Sequence, residues 1–264
     1  MAISRRRVAG SVAMMTAVVL GLSAPLTVSV DPAGAAGRAF KVHTWTDPTG
    51  DVHRVRWNPC QTITFAVNAR LAGKSERATH KAIADVREAF RRAGKRTGLT
   101  FKYTGRTGEI PNNRASTPWS TRQKSAEIVV AWVDQGRASF RTNLLTRVGS
   151  GYASGVGGWM LRGWPNDRGR WTSAVGRGFV VLNASHNRRY ESGFGAGVTR
   201  GALLLHELGH ALGLGHVGRT SELMYPTILR RQHSNYKSGD EQGLAKLGRR
   251  EGCIAGANEI WKQI

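Results

Sequence analysis

The segment HELGHALGLGH at 206–216 sets His206, Glu207, His210, Gly213 and His216 in the spacing H-E-x-x-H-x-x-G-x-x-H. Residues four apart on a helix point nearly the same way, so His206 and His210 can share one metal ion at about 2.0–2.1 Å. Glu207 stands beside the first histidine and can reach a water at the metal without itself binding the ion. Gly213 falls where the helix must stop and the chain reverse, which brings His216 back as a third ligand. Three neutral imidazoles leave the fourth position of a zinc ion for water, the mark of a catalytic rather than a closed structural site. Zinc takes the pKa of such a water to about 7, and a glutamate base can complete its activation. A plain amphipathic helix would account for a lone His210. The full pattern, however, arises by chance in only roughly 3 in 10⁵ chains of this composition, so the catalytic reading is preferred.

These side chains need a frame. TITFAVN (62–68) alternates apolar and polar residues as a strand does. Ser75 then opens a helix in which Ala78, Ala82, Val86, Ala89, Phe90 and Ala93 recur at helical spacing, closed by Gly94 and Gly98. LTFKYTG (99–105) reads as a second strand, 106–125 as a long polar loop, and AEIVVAWVD (126–134) as a buried central strand. GSGYASGVGG (149–158) is too glycine-rich for regular structure, with a short edge strand expected at WMLRG after it. GRGFVVLNA (176–184) predicts a further strand. A helix opens near Val198 or Thr199 and ends near Gly213, and SGDEQGLAKLG (238–248) predicts a short capped one. Strands alternating with a long helix, then a helix-rich last third, indicate an α/β or α+β domain.

At the other end of the chain, Arg5–Arg7 precede an apolar stretch, Val12 to Leu22, and a small-residue exit around Ala33 and Ala35. Basic head, apolar middle and Ala-x-Ala exit are the parts of a secretory signal covering 1–36. An uncleaved membrane anchor is the alternative, but the apolar core is short for a span and Gly21 and Pro25 interrupt it. No stable membrane insertion is therefore expected after cleavage, and the protein is expected outside the cell. Residues 37–56 then form a short N-terminal segment, either propeptide or arm, before a domain at 57–264. Secretion favours a disulfide between the two cysteines, Cys60 and Cys253, over two free thiols or one thiol on a metal. The formal net charge of +22 favours polyanions such as acidic cell-wall polymers. Basic residues are scattered, and no zinc-finger, RNP or basic-zipper pattern points to specific nucleic-acid binding. His43, His53, His80, His186 and His233 have no partners at metal-ligand spacing.

Met224 follows the histidine motif in ELMYPTI. A long zinc motif followed by a methionine-bearing turn beneath the metal is the metzincin pattern. On His206, Glu207, His210, Gly213, His216, Met224, Tyr225 and Pro226 the chain resembles a matrixin-type metzincin, more particularly a bacterial secreted relative of the matrix metalloproteinase catalytic domain. SGDEQGLAKLG is similar to the last helix of that domain, and RWNPCQTITFAVN with TGLTFKYTG to the N-terminal half of bacterial relatives. The resemblance implies a zincin-like α+β fold: a twisted, mostly parallel five-stranded sheet, two long helices and a small C-terminal subdomain. It implies one catalytic zinc, a protein or peptide substrate lying along Gly157, Gly158 and Trp159, and a pocket walled by Tyr225, Pro226, Thr227 and Ile228. The thiol switch of many animal matrixins has no counterpart. Nor does their His/Asp-rich metal segment within 140–185, which leaves calcium open. A secreted basic module binding anionic cell-wall polymers, its zinc only structural, is the alternative, and Glu207 beside an open metal position argues against it.

Overall fold

The computed structural model describes residues 17–22, 39–112, 125–166, 168–231 and 233–262. Most of the expected signal segment and most of the polar loop lie outside these. Strand β1 is Ala17–Leu22; β2 (Lys41–Val42), β3 (Thr44–Thr46) and β4 (Val52–Arg54) lie within residues 37–56. There follow β5 (Thr62–Asn68), helix α1 (Glu76–Thr97), β6 (Thr100–Arg106), β7 (Ile128–Val133), the short β8 (Arg147–Val148) and β9 (Gly151–Tyr152), β10 (Gly155–Pro165) and β11 (Trp171–Asn183). Helix α2 (Arg200–Ala211), β12 (Leu214–Gly215), α3 (Ser238–Ala245) and α4 (Ala257–Lys262) complete the order.

The five strands of the domain run β10-β11-β7-β5-β6, with β1 added outside β10. Strands β11, β7, β5 and β6 are parallel to their neighbours, and β10 is antiparallel to β11. This is the mostly parallel α+β sheet that the resemblance implied. All six residues of β7 are buried, because it is central and covered on both faces. Alternate residues go to opposite sides: Ile128, Val130 and Trp132 meet α1 and α2, whereas Val129, Ala131 and Val133 meet Met160, Phe179 and Trp261.

Helix α1 lies in the crossover between the parallel β5 and β6. The Ser75 hydroxyl accepts from the Ala78 N–H, and Gly98, with φ +71°, turns its N–H back to the Gly94 carbonyl. Its apolar stripe, Ala82, Val86, Ala89, Phe90 and Ala93, is buried, and Phe90 stacks on Phe65 of β5 at 3.8 Å. The glycine-rich run departs from expectation. Regular structure begins inside it, and β10 is a long strand starting at Gly155 rather than a short one at WMLRG. The reason is close approach, not flexibility: a Cβ at Gly155 would meet the Glu207 side chain, and one at Gly157 would overlap the Glu207 carbonyl.

Residues 39–57 pack into the same core. Trp45, Val55 and Trp57 are buried, and the Trp57 indole donates to the Ala211 carbonyl at the end of α2 (2.9 Å). A disulfide joins Cys60, just before β5, to Cys253 in the tail, with Cα atoms 5.4 Å apart. Among the described residues no helix is long and apolar enough to cross a membrane.

Candidate metal centre

Helix α2 is buried along all twelve residues. Its N-terminus is fixed by the Thr199 hydroxyl, which accepts from the Ala202 N–H. At its other end the Gly213 N–H bonds to the His210 carbonyl, and Gly213 takes φ +108°, a conformation that disfavours any side chain. The chain reverses there into β12, which pairs with β2 and delivers His216 back to the helix.

The three histidines converge. His216 Nε2 lies 3.2 Å from His206 Nε2 and 3.0 Å from His210 Nε2. The other ring nitrogens are engaged: His206 Nδ1 with the Leu223 carbonyl at 2.7 Å, His210 Nδ1 with the Leu214 carbonyl at 2.9 Å. A carbonyl can only accept, so each Nδ1 carries the proton and each Nε2 presents a lone pair to the centre. Burial pushes His206 and His210 below the ordinary histidine value and takes His216 to about 3, so the rings are neutral, the form a metal requires. A tetrahedral zinc with nitrogens at about 2.0–2.1 Å needs N···N edges of about 3.3 Å, close to those found. The residues present therefore fit such an ion. Among the described residues this is the one cluster of three or more His, Cys, Asp or Glu side chains able to hold a metal.

Glu207 is 5 % exposed, wedged between α2 and β10, and its carboxyl accepts a hydrogen bond from the Gly157 N–H. Burial pushes it up to about 8 against that bond. It thus stands in a dry position beside the histidines, with a strong preference for taking up a proton.

Met224 is buried under the helix, where a Cβ at Gly209 would meet its sulfur. The turn is held by Asp240 of α3, whose carboxylate accepts from the Leu223 (2.7 Å) and Met224 (3.2 Å) N–H groups. Gly157, Gly158 and Trp159 lie on β10, on the strand next to β1. Tyr225, Pro226, Thr227 and Ile228 follow the turn, Pro226 and Thr227 exposed and Ile228 against the core.

The structure adds three participants that the motif alone does not assign. The backbone N–H of His43 donates to the Gly213 carbonyl (2.8 Å), and its ring packs on Trp159 at 5.8 Å. Asp240 and Gly209 are the others. A glycine between the two histidines of a helix is a legible hint of close packing; the partner it makes room for is not.

No curated protein matches the chain. The family model of the matrixins, peptidase family M10, matches residues 154–248, from the start of β10 through the histidines and the methionine turn to the end of α3. With the sheet, the histidine cluster and the buried glutamate in place, this part of the chain is a matrixin-like metallopeptidase.

Proposed function

We propose that the protein is a secreted zinc-dependent endopeptidase. The observation that carries this is the position of Glu207: buried, beside three neutral imidazoles, its carboxyl aligned by the Gly157 N–H. His206, His210 and His216 would hold the zinc. The bound ion supplies Lewis acidity that polarises the scissile carbonyl and acidifies water. Glu207 takes the proton from the attacking water and passes it to the leaving nitrogen, and its dry setting makes it basic enough for the first step and able to release the proton in the second. Met224 supports the imidazoles from below. The substrate runs extended along the edge of β10 at Gly157–Leu161, with Tyr225–Ile228 walling the pocket beyond the cut. The antiparallel pairing of Ala17–Leu22 with Gly158–Gly163 supports this, since that edge accepts an extended segment.

The N-terminal pattern supports residues 1–36 as a cleaved signal, with 37–56 an arm on the domain at 57–264. The Cys60–Cys253 disulfide suits an oxidising compartment outside the cell. The test is Glu207→Ala in zinc-loaded protein. Peptide hydrolysis should fall by about 10³-fold or more, with one zinc per chain retained. Failure of the wild type to cleave any member of a peptide library would overturn the proposal.

A further inference from the structure

A second cleft opens at the far end of β11 from Asn183, where the strand begins, and no part of the peptidase reading uses it. One wall is His53, Arg54 and Arg56; the other is Thr172 and Ser173, with Glu251 at the rim. Arg54 Nη1 pairs with Glu251 Oε2 at 2.7 Å, and Lys246 lies 4.0 Å from the other oxygen. Arg56 spends two N–H groups on the carbonyls of Gly252 (2.8 Å) and Glu251 (3.3 Å). Glu251 therefore answers three cations, while His53 on the same wall is engaged by Asp47 Oδ2 at 2.7 Å. Arg56 is half-buried, and burial holds its guanidinium below the ordinary arginine value against the opposing pull of Glu251. On the facing wall Ser173 is 6 % exposed, and its hydroxyl has no hydrogen-bond partner among the described residues. A buried hydroxyl without a partner costs free energy that a ligand oxygen would recover.

We infer that this cleft is a phosphate-binding site. The two guanidinium groups on one wall and the Ser173 hydroxyl on the other ask for an anion with acceptors pointing in several directions. A tetrahedral phosphate offers that, whereas a carboxylate offers two oxygens in one plane. Arg54, exposed and on a β-strand, supplies the reaching guanidinium; Arg56 supplies fixed charge; Ser173 supplies a hydroxyl. The phosphate comes either free or within a phosphodiester or polyphosphate chain. The chain's +22 charge favours the polymer, because charge spread over the surface extends the attraction beyond one group. The inference stands apart from the peptidase activity and survives its failure.

The test titrates the full-length protein with inorganic phosphate and, separately, with polyphosphate, at fixed ionic strength, reading affinity by calorimetry. Arg54→Gln should weaken binding about tenfold and Ser173→Ala a few-fold, with peptide hydrolysis unchanged and no fall in the thermal midpoint of either variant. Arg188→Gln, the same change of charge beyond the other end of β11, is the control and should leave binding within about twofold. Binding of both probes identifies the free anion as sufficient, and binding of polyphosphate alone identifies the polymer; either supports the site. Equal weakening by Arg54→Gln and Arg188→Gln would reduce the effect to general surface charge and overturn it. So would the absence of binding to both probes.

Discussion

Helices α1 and α2 pack against the same face of the sheet and against each other, yet they are held by different means. Helix α1 buries seven of its 22 residues and leaves the others half-buried or exposed. Of its polar groups Asp85 turns inward to α2 and Thr97 bonds the Ala93 carbonyl, while Arg77, Lys81 and Arg87 face water and need no special partners; its ends are closed by Ser75 and Gly98. Helix α2 has no wet face. Every polar side chain on it is under cover, so each needs a specific partner: Arg200 takes Asp85 of α1 at 2.5 Å, His206 and His210 take backbone carbonyls, and Glu207 takes the Gly157 N–H. The difference teaches where the histidine cluster draws its precision. A helix free to face water on one side tolerates slack. One buried all round fixes its histidines to within a rotamer, at the cost of demanding small residues wherever it touches the sheet.

That demand gives the sharpest way to break the contrast. Gly157→Ala would put a Cβ into the Glu207 carbonyl, a backbone atom that cannot swing aside. The strand and helix must part, and the expected cost is about 2–3 kcal/mol. Alanine at 157 should also depress hydrolysis more than the lost stability explains, since the same residue aims its N–H at Glu207. Urea unfolding and steady-state kinetics on one preparation would check both. A fully active, fully stable variant would show that α2 is not seated as described.

The same contrast explains what could be read from the residues alone. Helix α1 announces itself, since a periodic apolar stripe between an N-cap serine and a left-handed glycine is local information. The three histidines and Glu207 are legible for another reason: the spacing that one shared metal ion would require is complete within eleven residues. Strand β10 was hidden because its glycines, there to admit α2, carry the same composition as a loop. His43 and Asp240 were hidden because what places them is tertiary. One is fixed by the carbonyl of Gly213, the other by two N–H groups of the methionine turn, and neither contact leaves a period in the sequence. The Asp85–Arg200 pair likewise joins two helices whose charges look, residue by residue, like ordinary surface positions.

On the solvent side smaller effects are expected. Ser75→Ala removes the acceptor of the Ala78 N–H at the start of α1, and about 1 kcal/mol should be lost with catalysis untouched. A chemical denaturation midpoint would register the change, and an accompanying fall in kcat would contradict the separation of the two helices drawn above.

The smallest effect concerns Glu88, on the partly wet face of α1. Hydrogen bonds from Arg91 at 2.6 and 2.8 Å, then from Arg92 at 2.7 Å, hold its carboxyl at about 2 against a modest opposing effect of burial. The folded-state value lies below the ordinary 4.5, so ionised Glu88 contributes stability above that pH. The contribution fades as the pH falls from 4.5 through 2, because both states are then protonated. With the side chain 30 % exposed, solvent screens the pair and the contribution should stay under about 1 kcal/mol. Stability measured against pH for wild type and Glu88→Gln should therefore differ near neutrality and converge below about pH 2. Added salt should shrink the gap, since screening acts on a charge pair open to water. A gap that persists undiminished in acid would mean that Glu88 acts through packing instead, and α1 would then resemble α2 more closely than its exposed face suggests.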